Sequence, residues 1–232
     1  MRRRVVALLL TGGTAWAGPT GLNTIPTTDL VPYHQVSAAL QNGNTTLRGN
    51  SSLLHEPEPV PQAQVGLPWN LEGGIDVVPE DRPEDYRPVL NLKWKPLPEG
   101  YRWPAVAVGV SQLGVGFTPN EFLVLSKTLN YDQIEYQKFR AHHRNIKLRG
   151  IRIHSGILRT ASAWRALVGT DVEVSDHFVV YADWMSGSTN AVSVGGVVVI
   201  DREDSIQAAL LRANDQDRVT GLLLMYTHVF TW

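Results

Sequence analysis

The chain has 232 residues, a formal net charge of −1 and no cysteine. Near-neutral charge excludes a general nucleic-acid binder, and the lack of cysteine excludes disulfide staples, thiolate metal sites and a lipidated N-terminal Cys. Its 20 Gly, 14 Pro and 43% hydrophobic residues suit an exported β protein whose apolar residues come singly rather than in runs.

Met1-Arg2-Arg3-Arg4 is a basic start, Val5 to Leu10 is apolar, and Ala15-Trp16-Ala17 is a small-x-small site. Together they predict a signal peptide over residues 1–17, cleaved before Gly18. The apolar run is too short to cross a bilayer as a helix. Residues 18–32 follow as an extended segment, because Pro and Gly keep it out of a ladder. Leu22 and Ile25 are spaced apolar anchors in this otherwise polar stretch. They predict a segment tucked against the mouth of a barrel or into its lumen. A disordered tail is the alternative at any terminus.

From residue 33 to 232, short alternating segments are separated by turn residues. The predicted strands are Tyr33–Gln41, Ala63–Leu67, Leu71–Val78, Val89–Leu97, Ala105–Leu113 and Glu121–Leu129, then Ile146–Leu158, Leu167–Val174, Phe178–Met185, Ala191–Ile200, Ser205–Ala213 and Arg218–Trp232. A helical pattern fits only Asp132–His143. The count of about twelve is even, as an all-β, antiparallel up-and-down transmembrane β-barrel requires. If the first strand runs outward, the even-to-odd connections are periplasmic and short. Pro68–Asn70, Ser175–His177 and Asp201–Asp204 obey this, and Asn42–Gln62 is a long outer loop. Asn130–Asn145 does not obey it, so an extra element or a miscounted strand lies there.

Facing follows from charge. Leu71, Gly73, Ile75 and Val77 oppose Glu72 and Asp76; Leu90, Leu92 and Trp94 oppose Asn91, Lys93 and Lys95; Val168, Val172 and Val174 oppose Gly169, Asp171 and Glu173. A lysine or arginine on the lipid face near the midplane costs about 2–4 kcal/mol, and several would exceed the stability of most folds. The charged sets therefore face the lumen, which Glu72, Asp76, Lys93, Lys95, Arg152, Asp171, Glu173 and Asp183 are expected to line. Both signs are present, so the interior should pass little, or only small solutes, without strong ion selectivity. Trp69, Trp94, Trp103, Trp184 and Trp232 fall near strand ends, where aromatic girdles sit. A soluble sandwich would alternate in the same way with its apolar set inward. The leader and the strand-end aromatics favour the barrel.

The last seven residues, Tyr226-Thr227-His228-Val229-Phe230-Thr231-Trp232, alternate and stop on Trp232. Leu222, Leu224, Tyr226, His228, Phe230 and Trp232 share one face, and Gly221, Leu223, Met225, Thr227, Val229 and Thr231 the other. This ending resembles the C-terminal signature of bacterial outer-membrane barrels. The resemblance implies that Tyr226, Phe230 and Trp232 form an assembly signal read by the barrel assembly machinery, with outer-membrane lipids as the other partner.

Catalytic sets are weak. His154 and Ser155 are adjacent on a strand and point to opposite faces. Glu72 and Asp76 share a face and suit either acid–base work or a lumen salt-bridge network, the network being the expectation. His142-His143 lie in a basic stretch with Lys138, Arg140 and Arg144. No spacing suits a metal, and no cofactor or enzymatic activity is expected. Asn44-Thr45-Thr46 and Asn50-Ser51-Ser52 are chance glycosylation matches in a bacterial setting.

The run Gly18-Pro19-Thr20-Gly21-Leu22-Asn23-Thr24-Ile25-Pro26-Thr27-Thr28-Asp29 resembles the G-x-x-G-L-x-N-x-P-T-A opening of YjbH-like outer-membrane proteins. Arg87–Lys93 and Glu121–Lys127 are similar to recurring strands of those barrels. The resemblance implies an outer-membrane barrel associated with exopolysaccharide production and export. YjbH-like proteins are much longer and typically lipidated, so it speaks for the barrel more than for polysaccharide. The expected function is thus a structural barrel or narrow pore for small solutes, with envelope polysaccharide export as the alternative and a lipid-modifying enzyme as a third class that no residue set supports.

Overall fold

The computed structural model describes residues 21–42, 59–79, 86–114, 116, 118–129, 150–161, 163–188, 190–214 and 220–232. The predicted leader and cleavage site, the Asn44 and Asn50 matches, the basic stretch with His142-His143 and the predicted helical pattern at 132–143 lie outside them.

Twelve strands follow one another: β1 Gln35–Asn42, β2 Pro59–Leu67, β3 Leu71–Pro79, β4 Tyr86–Leu97, β5 Ala105–Leu113, β6 Asn120–Thr128, β7 Ile151–Arg159, β8 Trp164–Ser175, β9 Phe178–Met185, β10 Ala191–Val199, β11 Asp204–Ala213 and β12 Thr220–Thr231. Each pairs antiparallel with its neighbours in sequence, and β1 pairs with β12 to close the barrel. Closure leaves no open sheet edge, which is what allows a sheet to sit in lipid. Every predicted strand coincides with an observed one. The clearest differences are at starts. β2 begins at Pro59, ahead of the predicted Ala63, because Pro59 and Pro61 are tolerated where the ladder begins. β7 begins at Ile151, and residues 146–149 of the predicted strand lie outside the described residues.

Alternation now has a radial meaning. On every strand except β5, where Val106, Val108 and Val110 are half-buried, a large apolar side chain stands exposed on the outer wall; Leu92, Ile157, Val168, Val194, Leu210 and Leu222 are examples. Their sequence neighbours point inward and are mostly buried. The sequence reading placed charge inside, and charge is there, but the interior also holds two apolar clusters. One gathers Phe122, Val124, Leu158, Leu167, Tyr181, Met185 and Val197, and the other Leu211, Leu223 and Met225 with small alanines. The inner face of a filled barrel has no need of uniform polarity.

The start of β1 and the end of β12 lie at one mouth, with the β2–β3, β8–β9 and β10–β11 turns. Trp69 and Asn70 in the first of these adopt left-handed φ values of 61° and 58°. Two successive left-handed residues match the right-handed twist of a tight hairpin. Exposed Tyr33, Trp69, Trp94, Tyr101, Trp103 and Trp232 ring this mouth, and Tyr86, Trp164 and Trp184 lie toward the far one.

Candidate functional site

The candidate site is the lumen, and residues 21–31 lie in it. Their tip is a tight turn: Leu22 N–H donates to the Ile25 carbonyl at 2.9 Å, and Gly21 bridges Pro26. This turn points the Leu22 and Ile25 side chains into the larger apolar cluster, where each is 2% exposed. The wall makes room with Gly169 of β8, whose missing Cβ would lie 2.5 Å from Leu22 Cδ1 and 2.9 Å from Ile25 Cδ1.

The polar side of the tip is held by the wall of β9, β10 and β11. Asp183 Oδ2 accepts the backbone N–H groups of Asn23 at 2.8 Å and Thr24 at 3.0 Å, and its Oδ1 accepts the hydroxyls of Thr24 and of Ser193, the latter at 2.7 Å. Asn23 Nδ2 donates to Ser193 Oγ at 2.8 Å, and Gln207 Nε2 donates to Asn23 Oδ1 at 2.7 Å. Two successive amides aimed at one carboxylate form a small anion-binding concavity, and the carboxylate here belongs to the barrel.

Further along, Thr28 N–H donates to Ser126 Oγ at 3.3 Å. Asp29 receives a two-pronged contact from Arg152, at 2.7 and 2.9 Å, and the same guanidinium donates through Nε to Asp171. Burial alone would raise the Asp29 carboxyl, but Arg152, helped by His154 and Lys93, holds it well below the usual carboxylate range. Val31 N–H donates to Glu72 Oε2 at 2.8 Å, and Glu72 pairs with Lys93 at 3.5 Å. Gly66 lies under the segment, since a Cβ there would meet the Pro32 carbonyl oxygen at 2.0 Å. His34, at φ 69°, turns the chain from the lumen into β1.

Of the residues assigned to the lumen by charge, Glu72, Asp76, Lys93, Asp171 and Asp183 are buried inside, Arg152 is partly buried, and Lys95 and Glu173 are half-buried nearer the mouth where β1 starts and β12 ends. The barrel brings together Glu72 with Lys93 and Arg152 with Asp171. It does not make a carboxylate pair of Glu72 and Asp76, because Asp76 is bonded to Asn91 instead. Tyr226, Phe230 and Trp232 stand exposed on the outer wall.

The sharpest constellation leaves no mark in the sequence. Ser155 faces outward, but His154 faces in and meets Ser126 of the neighbouring strand, with Oγ and Nδ1 2.7 Å apart. His154 Nε2 donates to Asp171 Oδ2 at 2.7 Å. A hydroxyl, an imidazole and a carboxylate in a chain is the arrangement of a nucleophile with its base and orienter. Two further contacts tie it to the N-terminal segment. Arg152 shares the Asp171 carboxylate, and the Thr28 amide ends on Ser126 Oγ. All three side chains are buried. They form one face of the network that holds residues 28 and 29.

The molecule is thus a closed, twelve-stranded antiparallel β-barrel with an apolar outer wall and a lumen occupied by its own N-terminal segment. No protein-family profile and no curated protein matches the chain. Among solved structures it is similar to the KdgM porin, with a TM-score of 0.51 at 6% identity over 84% of this chain and 99% of that one. It is also similar to the KdgM porin in complex with disordered oligogalacturonate, with a TM-score of 0.49 at 7% identity over 84% and 98%. At this identity the likeness is one of fold.

Proposed function

We propose that this chain is an outer-membrane β-barrel protein, a structural element or narrow pore for small solutes, whose lumen is held shut by its residues 21–32. The observation that carries the reading is the inverted distribution of side chains. Lys93 and Glu72 are 0% and 1% exposed, while Leu210 and Val194 on the outer wall are 60% and 57% exposed. Soluble monomers rarely expose contiguous apolar patches beyond a few hundred Å², and this wall runs round nearly the whole barrel. In lipid the same wall is satisfied, and aromatic residues near both mouths suit the two interfaces.

Among the described residues, most inward side chains are buried with residues 21–31 between them, which leaves little room for a water path. The pore reading therefore requires the segment to move. Membrane fractionation and planar-bilayer recording test it. We expect recovery in the outer membrane and, in the resting state, little or no conductance without strong ion selectivity. Recovery as a soluble protein, or a large and strongly selective conductance from the unmodified chain, overturns it. Envelope polysaccharide export is a second reading, and the opening motif favours it. Residues 21–29 of that motif fill the lumen, so on this reading the motif is the gate of an export barrel rather than a sugar site.

A further inference from the structure

We infer that the lumen wall is a binding site for an extended polypeptide, and that residues 21–31 are its resident ligand rather than a fixed part of the barrel. The inference rests on the occluded-barrel reading above and specifies what the lumen recognises.

Three observations carry it. The first is how the segment is held. Apart from the single Tyr33–Gly66 bridge, the described residues show no ladder between it and the wall. The wall instead addresses its backbone with side chains: Asp183 takes two amides, Ser126 takes one and Glu72 takes one. Acceptors aimed at main-chain N–H groups read a peptide, whatever its side chains. The second is the apolar pocket. It takes two side chains three positions apart, presented by a turn closed by Leu22 N–H and the Ile25 carbonyl. The third is the shape of the wall. Glycines at 66 and 169 lie where any side chain would strike the segment, so the cavity is moulded to a polypeptide of this path. Asp29 on Arg152 adds one charged position. The ligand class is a peptide with two apolar residues at i and i+3 around a polar turn, followed by an acidic residue four positions on.

A site read in this way binds its ligand in trans once the resident segment is loosened. Such a peptide then works as an opener or as cargo, competing with residues 21–31 for the same acceptors.

The test uses the full-length chain carrying Leu22→Ser, Ile25→Ser and Asp29→Asn, which leaves the wall intact. The probe is a fluorescent peptide of residues 18–32. We expect saturable binding to the triple variant, about tenfold or more tighter than a scrambled peptide and weakened by at least as much when Asp183→Asn is added, since each hydrogen bond to a charged group is worth about that factor. Heat-modifiable gel migration reports whether the barrel has closed. A closed triple variant that binds neither peptide, or binds both alike, overturns the inference. If the triple variant does not fold, the single variant Thr24→Cys in the otherwise cysteine-free chain serves. Excess 18–32 peptide should speed its modification by a thiol reagent, and scrambled peptide should not. Equal rates with both peptides overturn the inference by this route. Recovery from the soluble fraction with peptide binding intact would instead remove the membrane reading and leave the polypeptide site standing.

Discussion

At the scale of single residues, the lumen discriminates between glycines that look alike in sequence. A Cβ at Gly66 would run into the Pro32 backbone at 2.0 Å, whereas at Gly73 the nearest atom is the tip of Leu67 at 3.6 Å. Gly66→Ala should therefore cost about 1–3 kcal/mol, as overpacking does, and loosen the segment, while Gly73→Ala should be close to neutral. Urea unfolding in micelles, followed by protease access to residues 21–32, compares the two, and equal effects would refute the close approach. Asp29 makes a second prediction. Arg152 lies on it directly, with Asp171, His154 and Lys93 close by, and its carboxyl titrates below the ordinary carboxylate range when docked. Its contribution is fully present above the unfolded value of about 3.9 and is lost only as pH falls through the lower docked value. Protease access should therefore not rise between pH 7 and pH 5. Asp29→Asn at pH 7 should cost about 1.5–3 kcal/mol of docking, the worth of a hydrogen bond to a charged group, and not more, because the partly buried Arg152 keeps Asp171 as its partner. Release of the segment near pH 5 would show that another group controls it.

At the scale of elements, β12 separates the two faces. Phe230 and Trp232 are 52% and 62% exposed on the outer wall, while Thr227 is 5% exposed and points inward between Ala39 and Ser205. Changing Phe230 and Trp232 together to Asp should block assembly far more than Thr227→Asp, because a charge in lipid finds no partner. Heat-modifiable migration reads the outcome, and equal loss from both would mean that the outer wall is not in lipid. Strands were legible for the same reason. A wall that must be apolar at every second position leaves a period-two mark, and all twelve strands carry it. What could not be read is who meets whom inside. Ser126 and His154 are 28 positions apart, and Asp29 and Arg152 are 123 apart. Those meetings depend on the closure and register of the barrel and leave no local trace. The inward Leu167, Leu211, Leu223 and Met225 were equally hidden, since a filled interior imposes no polarity. Only Leu22 and Ile25, apolar in a polar stretch, hinted that the N-terminal segment had somewhere to go.

At the scale of the whole molecule, the filled lumen predicts an electrically quiet protein with a lock that can be added. Asn23 and Ser193 side chains are in contact at 2.8 Å, and the chain has no cysteine of its own. Asn23→Cys with Ser193→Cys should form a disulfide under oxidation and keep the triple variant described above from conducting in a bilayer, with current restored by reductant. Current that ignores the redox state would place the conducting path elsewhere. The seam between the first and last strands has a consequence in time. Asn42 bonds Leu222 across 180 positions, so this junction carries nearly the longest loop the chain can close, and pairing of that kind forms late. Until it forms, the sheet is an open, curling ribbon. The wall of β6 to β11 that grips residues 22–29 consists of consecutive hairpins, which form early. The N-terminal segment can therefore settle on that ribbon from the side, before there is a cylinder to enter, and it draws the first strand toward the last as it does so. On this order of events the segment would serve as a mandrel around which the wall rolls. Weakening its grip with Asp183→Asn should accordingly slow the final refolding phase in micelles more than it lowers equilibrium stability, whereas a segment that enters after closure would leave that phase unchanged.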